Sequence, residues 1–219
     1  MSGADRREPE PVVFAEAVED VALGTAHSCA ILSSGTLVCW GSNGDGRLGD
    51  ATSTSRSTPG PVVTLTDSVA AVGLGDSHSC AIRQTSTYCW GKGSDGRLGR
   101  GSGSSSSIPV EVFGLPDAIA VYGGLDHTCA LRASGEVACW GKNDQDQLGE
   151  GESGGMSDVP VDVGIAGATS LAVGRQHACA VASDQVLCWG RDGNGELGAG
   201  AAGSSSRSTP VAVPDLLGG

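Results

Sequence analysis

The side chains best suited to bind metals, move protons or attack an electrophile are gathered in one motif that the chain writes four times. The 4 histidines, His27, His78, His127 and His177, stand about 50 residues apart, and a cysteine follows two positions after each: Cys29, Cys80, Cys129 and Cys179. Nine or ten residues further on comes Cys-Trp-Gly, beginning at Cys39, Cys89, Cys139 and Cys188. These motifs hold every His, Trp and Cys of the chain, so few reactive side chains remain for a unique catalytic centre. His-x-Cys with a second Cys could offer three zinc ligands per unit, but the spacing lacks the usual Cys-x2-Cys pair and no metal site is expected. Serine-rich loops such as Ser104–Ser107 and Ser204–Ser206 have no spare histidine to activate a hydroxyl, so no catalytic residue is expected. The oxygen-rich stretches Asn43–Gly46, Asn143–Asp146 and Asp192–Glu196 resemble a calcium loop superficially, yet the bidentate Glu at the twelfth position is missing. They read as turns rich in Asn, Asp and Gly, and no cofactor is expected.

The two cysteines of each unit are better suited to each other. Cys29 and Cys39, like Cys129 and Cys139, are ten apart; Cys80 and Cys89, like Cys179 and Cys188, are nine apart. If the two members of each pair face one another across a hairpin, the length difference falls in the loop, three residues in one case and two in the other (Gln84-Thr85, Ser183-Asp184). Directly opposed residues of an antiparallel pair can approach to about 4.5 Å between α-carbons, at the low end of what a disulfide accepts. Four disulfides within the repeats are therefore expected, and with them an oxidising compartment. The competing reading is eight buried, reduced thiols acting as small hydrophobes.

The elements that must position these groups follow from the period. Self-similarity near 50 residues means a propeller, a solenoid or an array. The first unit reads as short strands: Pro11–Phe14, Val18–Leu23, His27–Leu32 and Thr36–Gly41, with a turn at Ser33–Gly35 and a glycine-rich loop running to Leu48-Gly49. Ile31 and Leu37 fall on one face of the central hairpin, and Ala30, Val38 and Trp40 on the other, as expected of a sheet packed on both sides between neighbouring blades. Trp40, Trp90, Trp140 and Trp189 read as wedges between blades rather than as a sugar-stacking platform. The expected fold is all-β: four propeller-type blades of about 50 residues with four short antiparallel strands each, a propeller that is partial or completed between molecules. One repeat domain spans residues 1–219, with units near 11–60, 61–108, 109–159 and 160–213 and an N-terminal tail over 1–8.

A formal net charge of −12 and the lack of a basic patch argue against nucleic-acid and anionic-membrane partners. No apolar run approaches the roughly 20 residues of a membrane-spanning helix. The stretch from Met1 to Pro11 lacks the apolar core of a secretory signal.

The string Gly-x-x-His-x-Cys-Ala-Leu/Ile, then Cys-Trp-Gly, then a Gly-rich loop ending in Leu-Gly, resembles the repeats of the regulator of chromosome condensation family. It runs over His27–Gly49, His78–Gly99, His127–Gly149 and His177–Gly198, with Pro-Val strands at Pro61, Pro109, Pro160 and Pro210. The resemblance implies a β-propeller, usually of seven blades. It also implies that the histidines hold backbone groups at the blade edge, and that the doubled cysteine is the variant of bacterial, often exported, members. Known roles in the family are protein binding: nucleotide exchange on a small GTPase, and β-lactamase inhibition by a secreted bacterial relative. This chain departs from the pattern in having four repeats and a spare Pro-Val segment at Pro11–Phe14. The expected function is a non-enzymatic extracellular, periplasmic or cell-surface module that associates with other copies of itself through exposed terminal strands, into filaments. The alternative is a monomeric module that recognises one partner protein on its loop face.

Overall fold

A computed structural model of the protein describes residues 11–200 and 206–214. The N-terminal tail expected over 1–8, and Ser204 and Ser205 of the last serine loop, lie outside the described residues. Each repeat folds as one antiparallel meander of four strands. The first sheet holds β1 (Val18–Leu23), β2 (His27–Leu32), β3 (Leu37–Gly41) and β4 (Arg56–Pro61); the second holds β5 (Val69–Leu74), β6 (His78–Arg83), β7 (Ser86–Gly91) and β8 (Ser106–Glu111). The third holds β9 (Ala118–Gly123), β10 (His127–Arg132), β11 (Val137–Lys142) and β12 (Met156–Asp162); the fourth holds β13 (Ala168–Val173), β14 (His177–Ala182), β15 (Gln185–Arg191) and β16 (Ser206–Ala212). Among the described residues the only helical element is one 3-10 turn, Ser94–Gly96, and no helix is long and apolar enough to cross a membrane.

The sheets are offset by one strand from the units read off the sequence. Each Pro-Val segment pairs back onto the hairpin before it, as the fourth strand of that sheet. In this register Pro59, rather than Pro61, is the counterpart of Pro109, since Val110 and Gly60 stand opposite Cys89 and Cys39. The spare segment Pro11–Phe14 forms no strand, and among the described residues no hairpin precedes it to pair with; Val13 is 86% exposed. Its Phe14 instead meets Trp40 edge-on, with ring centroids 5.9 Å apart.

The central hairpins set the register of everything else. Cys29 faces Cys39, Cys80 faces Cys89, Cys129 faces Cys139 and Cys179 faces Cys188. The ten-residue spacings close through three-residue loops in which Gly35 and Gly135 take the left-handed backbone (φ 76° and 82°). The nine-residue spacings close through Gln84-Thr85 and Ser183-Asp184, where Gln84, Ser183 and Asp184 adopt that conformation themselves.

Sheets stack face to face, with the inner strands β1, β5, β9 and β13 side by side. Three buried clusters lie between consecutive sheets. The first joins Ile31, Leu37, Cys29 and Cys39 to Val72, Ala81 and Trp90; the second joins Ile82, Cys80 and Cys89 to Val121, Ala130 and Trp140; the third joins Leu131, Val137, Cys129 and Cys139 to Leu171, Ala180 and Trp189. Strands apolar on both faces thus fill two cores at once. In a chain with only 4 Trp, 2 Phe and 2 Tyr, the sulfur pairs supply core volume as well as cross-links.

Candidate functional site

The joint between two blades is built from backbone-directed side chains. The indole Nε1–H of Trp90 donates to the carbonyl of Arg47 in the preceding blade at 2.9 Å; Trp140 donates to Arg97 at 2.9 Å and Trp189 to Gln147 at 3.1 Å. Each indole lies over the glycine two residues past its acceptor. A Cβ on Gly49 would stand 2.7 Å from Trp90 Nε1, and one on Gly99 2.8 Å from Trp140 Nε1, so these positions, with φ +68° and +67°, admit glycine on two counts.

A second donor converges on the same carbonyls. Ser79 Oγ donates to the Arg47 carbonyl at 2.8 Å and Thr128 Oγ1 to that of Arg97 at 3.0 Å. Those hydroxyls bond in turn with His27 Nε2 and His78 Nε2, each at 2.8 Å. The relay therefore runs from a histidine in one blade, through a hydroxyl in the next, back to a carbonyl of the first. At the third joint it is broken: Ala178 occupies the hydroxyl position, and both ring nitrogens of His127 are buried without a partner among the described residues. Burial pushes the His27 imidazole down to about 4, with the Arg47 charge adding to it, and drives His78 well below the usual imidazole range. His127 is pushed down to about 3, by burial first and then by His177 and Arg97. These rings are neutral structural struts at neutral pH.

The loops leading to Leu-Gly are organised from within. Asn43 Oδ1 accepts from the Leu48 amide at 2.9 Å while its Nδ2 donates to Asp50, Thr52 and Thr54. Asn143 does the same toward Leu148, and Asp192 Oδ1 accepts from Leu197 at 3.1 Å. One oxygen of each such stretch, on Asn43, Asn143 or Asp192, thus holds the leucine just before Gly49, Gly149 or Gly198. Among the described residues no three His, Cys, Asp or Glu side chains converge as a ligand set.

The structure joins Cys29–Cys39, Cys80–Cys89, Cys129–Cys139 and Cys179–Cys188, with α-carbons 4.1 Å apart in each. All four bridges look toward the blade that follows. For the fourth, no described blade follows.

Two kinds of surface are therefore candidates for function. At the axis, a depression of about 490 Å³ is walled by one inner-strand turn from each blade, Gly24-Thr25, Gly75-Asp76, Gly124-Leu125 and Gly174-Arg175. Asp76 and Arg175 are its charged groups. At the end of the fourth blade, a sheet face that is core elsewhere lies open. The pair Val181 and Val186 is 38% and 42% exposed, whereas the equivalent pairs Ile31–Leu37, Ile82–Thr87 and Leu131–Val137 are 0–4% exposed. At the opposite end Ala30, Leu32 and Val38 are buried, with Phe14 and Trp40 packed against them. Trp90, Trp140 and Trp189, expected as wedges, lie fully buried between consecutive sheets; no described blade precedes Trp40, which stays partly exposed. The relay hydroxyls Ser79 and Thr128 were missed, although Ser28, Ser79 and Thr128 follow a histidine directly in the sequence.

Sequence models of the regulator of chromosome condensation (RCC1) repeat match residues 34–82 and 86–131, and a second model of that repeat matches 18–47, 118–147 and 168–196. The regulator of chromosome condensation of Xenopus laevis is 33% identical over 81 residues, 36% of this chain and 19% of that protein. Among solved structures, yeast RCC1 (Prp20) bound to Kap60 superposes with a TM-score of 0.83 at 19% identity, over 94% of this chain and 50% of that one. Human WBSCR16 superposes with a TM-score of 0.81 at 21% identity, over 93% and 54%. A further structure of Prp20p from Saccharomyces cerevisiae, described with its binding to Gsp1p and histones, gives 0.83 at 19% identity. The chain spans about half the length of these propeller chains.

Proposed function

Since the chain belongs to the regulator of chromosome condensation repeat family, we propose that it is a non-enzymatic protein-interaction module of an oxidising, extracytoplasmic setting, which associates with copies of itself through its terminal blades. The supporting observation is the pair Val181–Val186. The same two positions are sealed at every internal joint and lie in solvent at the end of the fourth blade. Exposed apolar sheet ends template further pairing, and a head-to-tail contact that does not close by rotation propagates as a filament. Four disulfides fit an oxidising compartment, where such bonds persist. His27, His78 and the eight cysteines go into blade joints and disulfides, which supports a role in binding.

Light scattering of the oxidised protein across a concentration series, with negative-stain microscopy, tests the proposal. Growth of mass with concentration supports it, and a compact monomer at every concentration overturns it. In that event the second reading gains: a monomeric module that grips one partner protein. The axial depression with Asp76 and Arg175 is the observation that favours it.

A further inference from the structure

The first and fourth blades carry opposite halves of the latch that closes every internal joint. We infer that a second copy of this chain docks head to tail, with Trp40 of one copy filling the slot over Gly198 of the other. This rests on the self-association proposed above and names its interface.

The first blade presents the donor half. Trp40 occupies the position of Trp90, Trp140 and Trp189, opposite Ser28 as those are opposite Ser79, Thr128 and Ala178. Among the described residues its Nε1 has no acceptor, and its one aromatic neighbour is Phe14. Ser28 supplies the relay hydroxyl, although the described chain offers it no histidine to bond. The fourth blade presents the acceptor half. Glu196-Leu197-Gly198 stands where Arg47-Leu48-Gly49 stands in the first blade, with Leu197 1% exposed and already in place. Gly198 holds the same left-handed backbone as the internal latch glycines, φ +64°, yet among the described residues a Cβ there would meet only Val213, at 3.4 Å. At Gly49, Gly99 and Gly149 the same Cβ would collide with an indole. His177 sits where His27 and His78 reach the hydroxyl of the next blade.

The internal joints then specify the contact atom by atom. Trp40 Nε1–H donates to the Glu196 carbonyl of the neighbouring copy. Ser28 Oγ–H donates to the same carbonyl, and His177 Nε2 bonds to Ser28 Oγ. Val181 and Val186 take the place of Phe14, which with Trp40 packs against the buried Ala30 and Val38 in the single chain, and they pack there as Ile31 and Leu37 pack with Ala81. An outer backbone bond completes the set: Ala51, Gly101 and Gly151 N–H donate to the carbonyls of Ser107, Asp158 and Ser208 in the next blade, which pairs Gly200 N–H with Ser57 C=O across the copies. The contact is heterologous, since different surfaces meet. The four described blades of each of two copies, latched at both ends, make eight, at the top of the range that closed propellers adopt, and the same latch left open propagates.

The polarity makes the test decisive. Trp40→Ala removes the donor half alone, and Gly198→Asn blocks the acceptor half with a side chain that tolerates the left-handed backbone. Each variant, checked for four intact disulfides by intact mass, is expected to self-associate at least about ten-fold more weakly than the parent, the scale of losing a buried tryptophan anchor. An equimolar mixture is expected to give a one-to-one pair in light scattering, because one intact half remains on each partner. Trp40→Phe, which keeps the ring and loses the N–H, gives an intermediate loss and covers the case in which alanine disturbs folding. A monomeric parent protein overturns self-association itself. A parent that associates while the variants match it, or whose variants fail to complement in the mixture, overturns the latch and leaves self-association standing.

Discussion

Replacing Ala178 by serine is expected to stabilise the protein, although it puts a hydroxyl into a fully buried site. His27 and His78 each reach a hydroxyl in the next blade at 2.8 Å, whereas His127, whose site is equally buried, has both nitrogens unpartnered. The hydroxyl introduced at 178 meets two waiting groups. His127 Nε2 lies on one side, and on the other the Gln147 carbonyl takes only the Trp189 indole, where Arg47 and Arg97 carbonyls each take two donors. An intramolecular hydrogen bond contributes about 1 kcal/mol net, and relieving an unsatisfied buried group is worth about 1–3 kcal/mol. Allowing for the cost of burying the new hydroxyl, the gain should be about 1–2 kcal/mol. In a chain of this size that raises the thermal midpoint by roughly 2–4 °C per kcal/mol. Urea unfolding with the disulfides intact is the assay, and the midpoint should rise at unchanged slope. Ala178→Val is the control, because it adds volume without a hydroxyl and overpacks the joint. A serine variant that is neutral or less stable, or a valine variant that gains as much, would refute the reasoning that the His127 relay is broken for want of this group.

Stability should also fall with acidification below neutrality. A histidine with a folded pKa beneath its unfolded value of about 6.5 contributes fully above that pH; between 6.5 and the folded values of about 4 for His27 and about 3 for His127, the unfolded chain binds protons that the fold refuses. The shift at His27 alone corresponds to about 3 kcal/mol, so urea midpoints should drop steadily from pH 7 to pH 4, and a flat profile would contradict neutral buried struts. Gly99→Ala and Gly198→Ala impose similar backbone strain, at φ +67° and +64°, but only the first drives a Cβ into an indole. The Gly99 variant should therefore lose about 1–3 kcal/mol more, measured in the same unfolding assay. Converting both Cys80 and Cys89 to alanine removes a nine-residue ring and should cost about 2–3 kcal/mol on the loop-entropy account. Intact mass of the untreated protein should show no alkylatable thiol, and eight would end the disulfide reading.

The repeated motif by itself determined the class of the fold, the four hairpins and the cysteine register, because all of these are local. A nine- or ten-residue spacing leaves room for one short loop, and the loop length then decides which residue faces which. The apolar pattern on both faces of β2 and β3 likewise required a neighbour on each side. What the linear pattern could not supply was the partner across each joint. Units counted from one Pro-Val segment to the next cut across the sheets, because each such strand hydrogen-bonds back to the hairpin before it, to β3 or β7 for example. The pattern gave four equivalent tryptophans, while the tertiary structure separates three buried wedges from Trp40. It gave four equivalent histidines, while stacking decides that two find a hydroxyl, His127 meets Ala178, and His177 faces an open end. Local order follows from neighbours in the chain; the condition of each joint depends on groups about 50 residues away, which meet only when the blades stack.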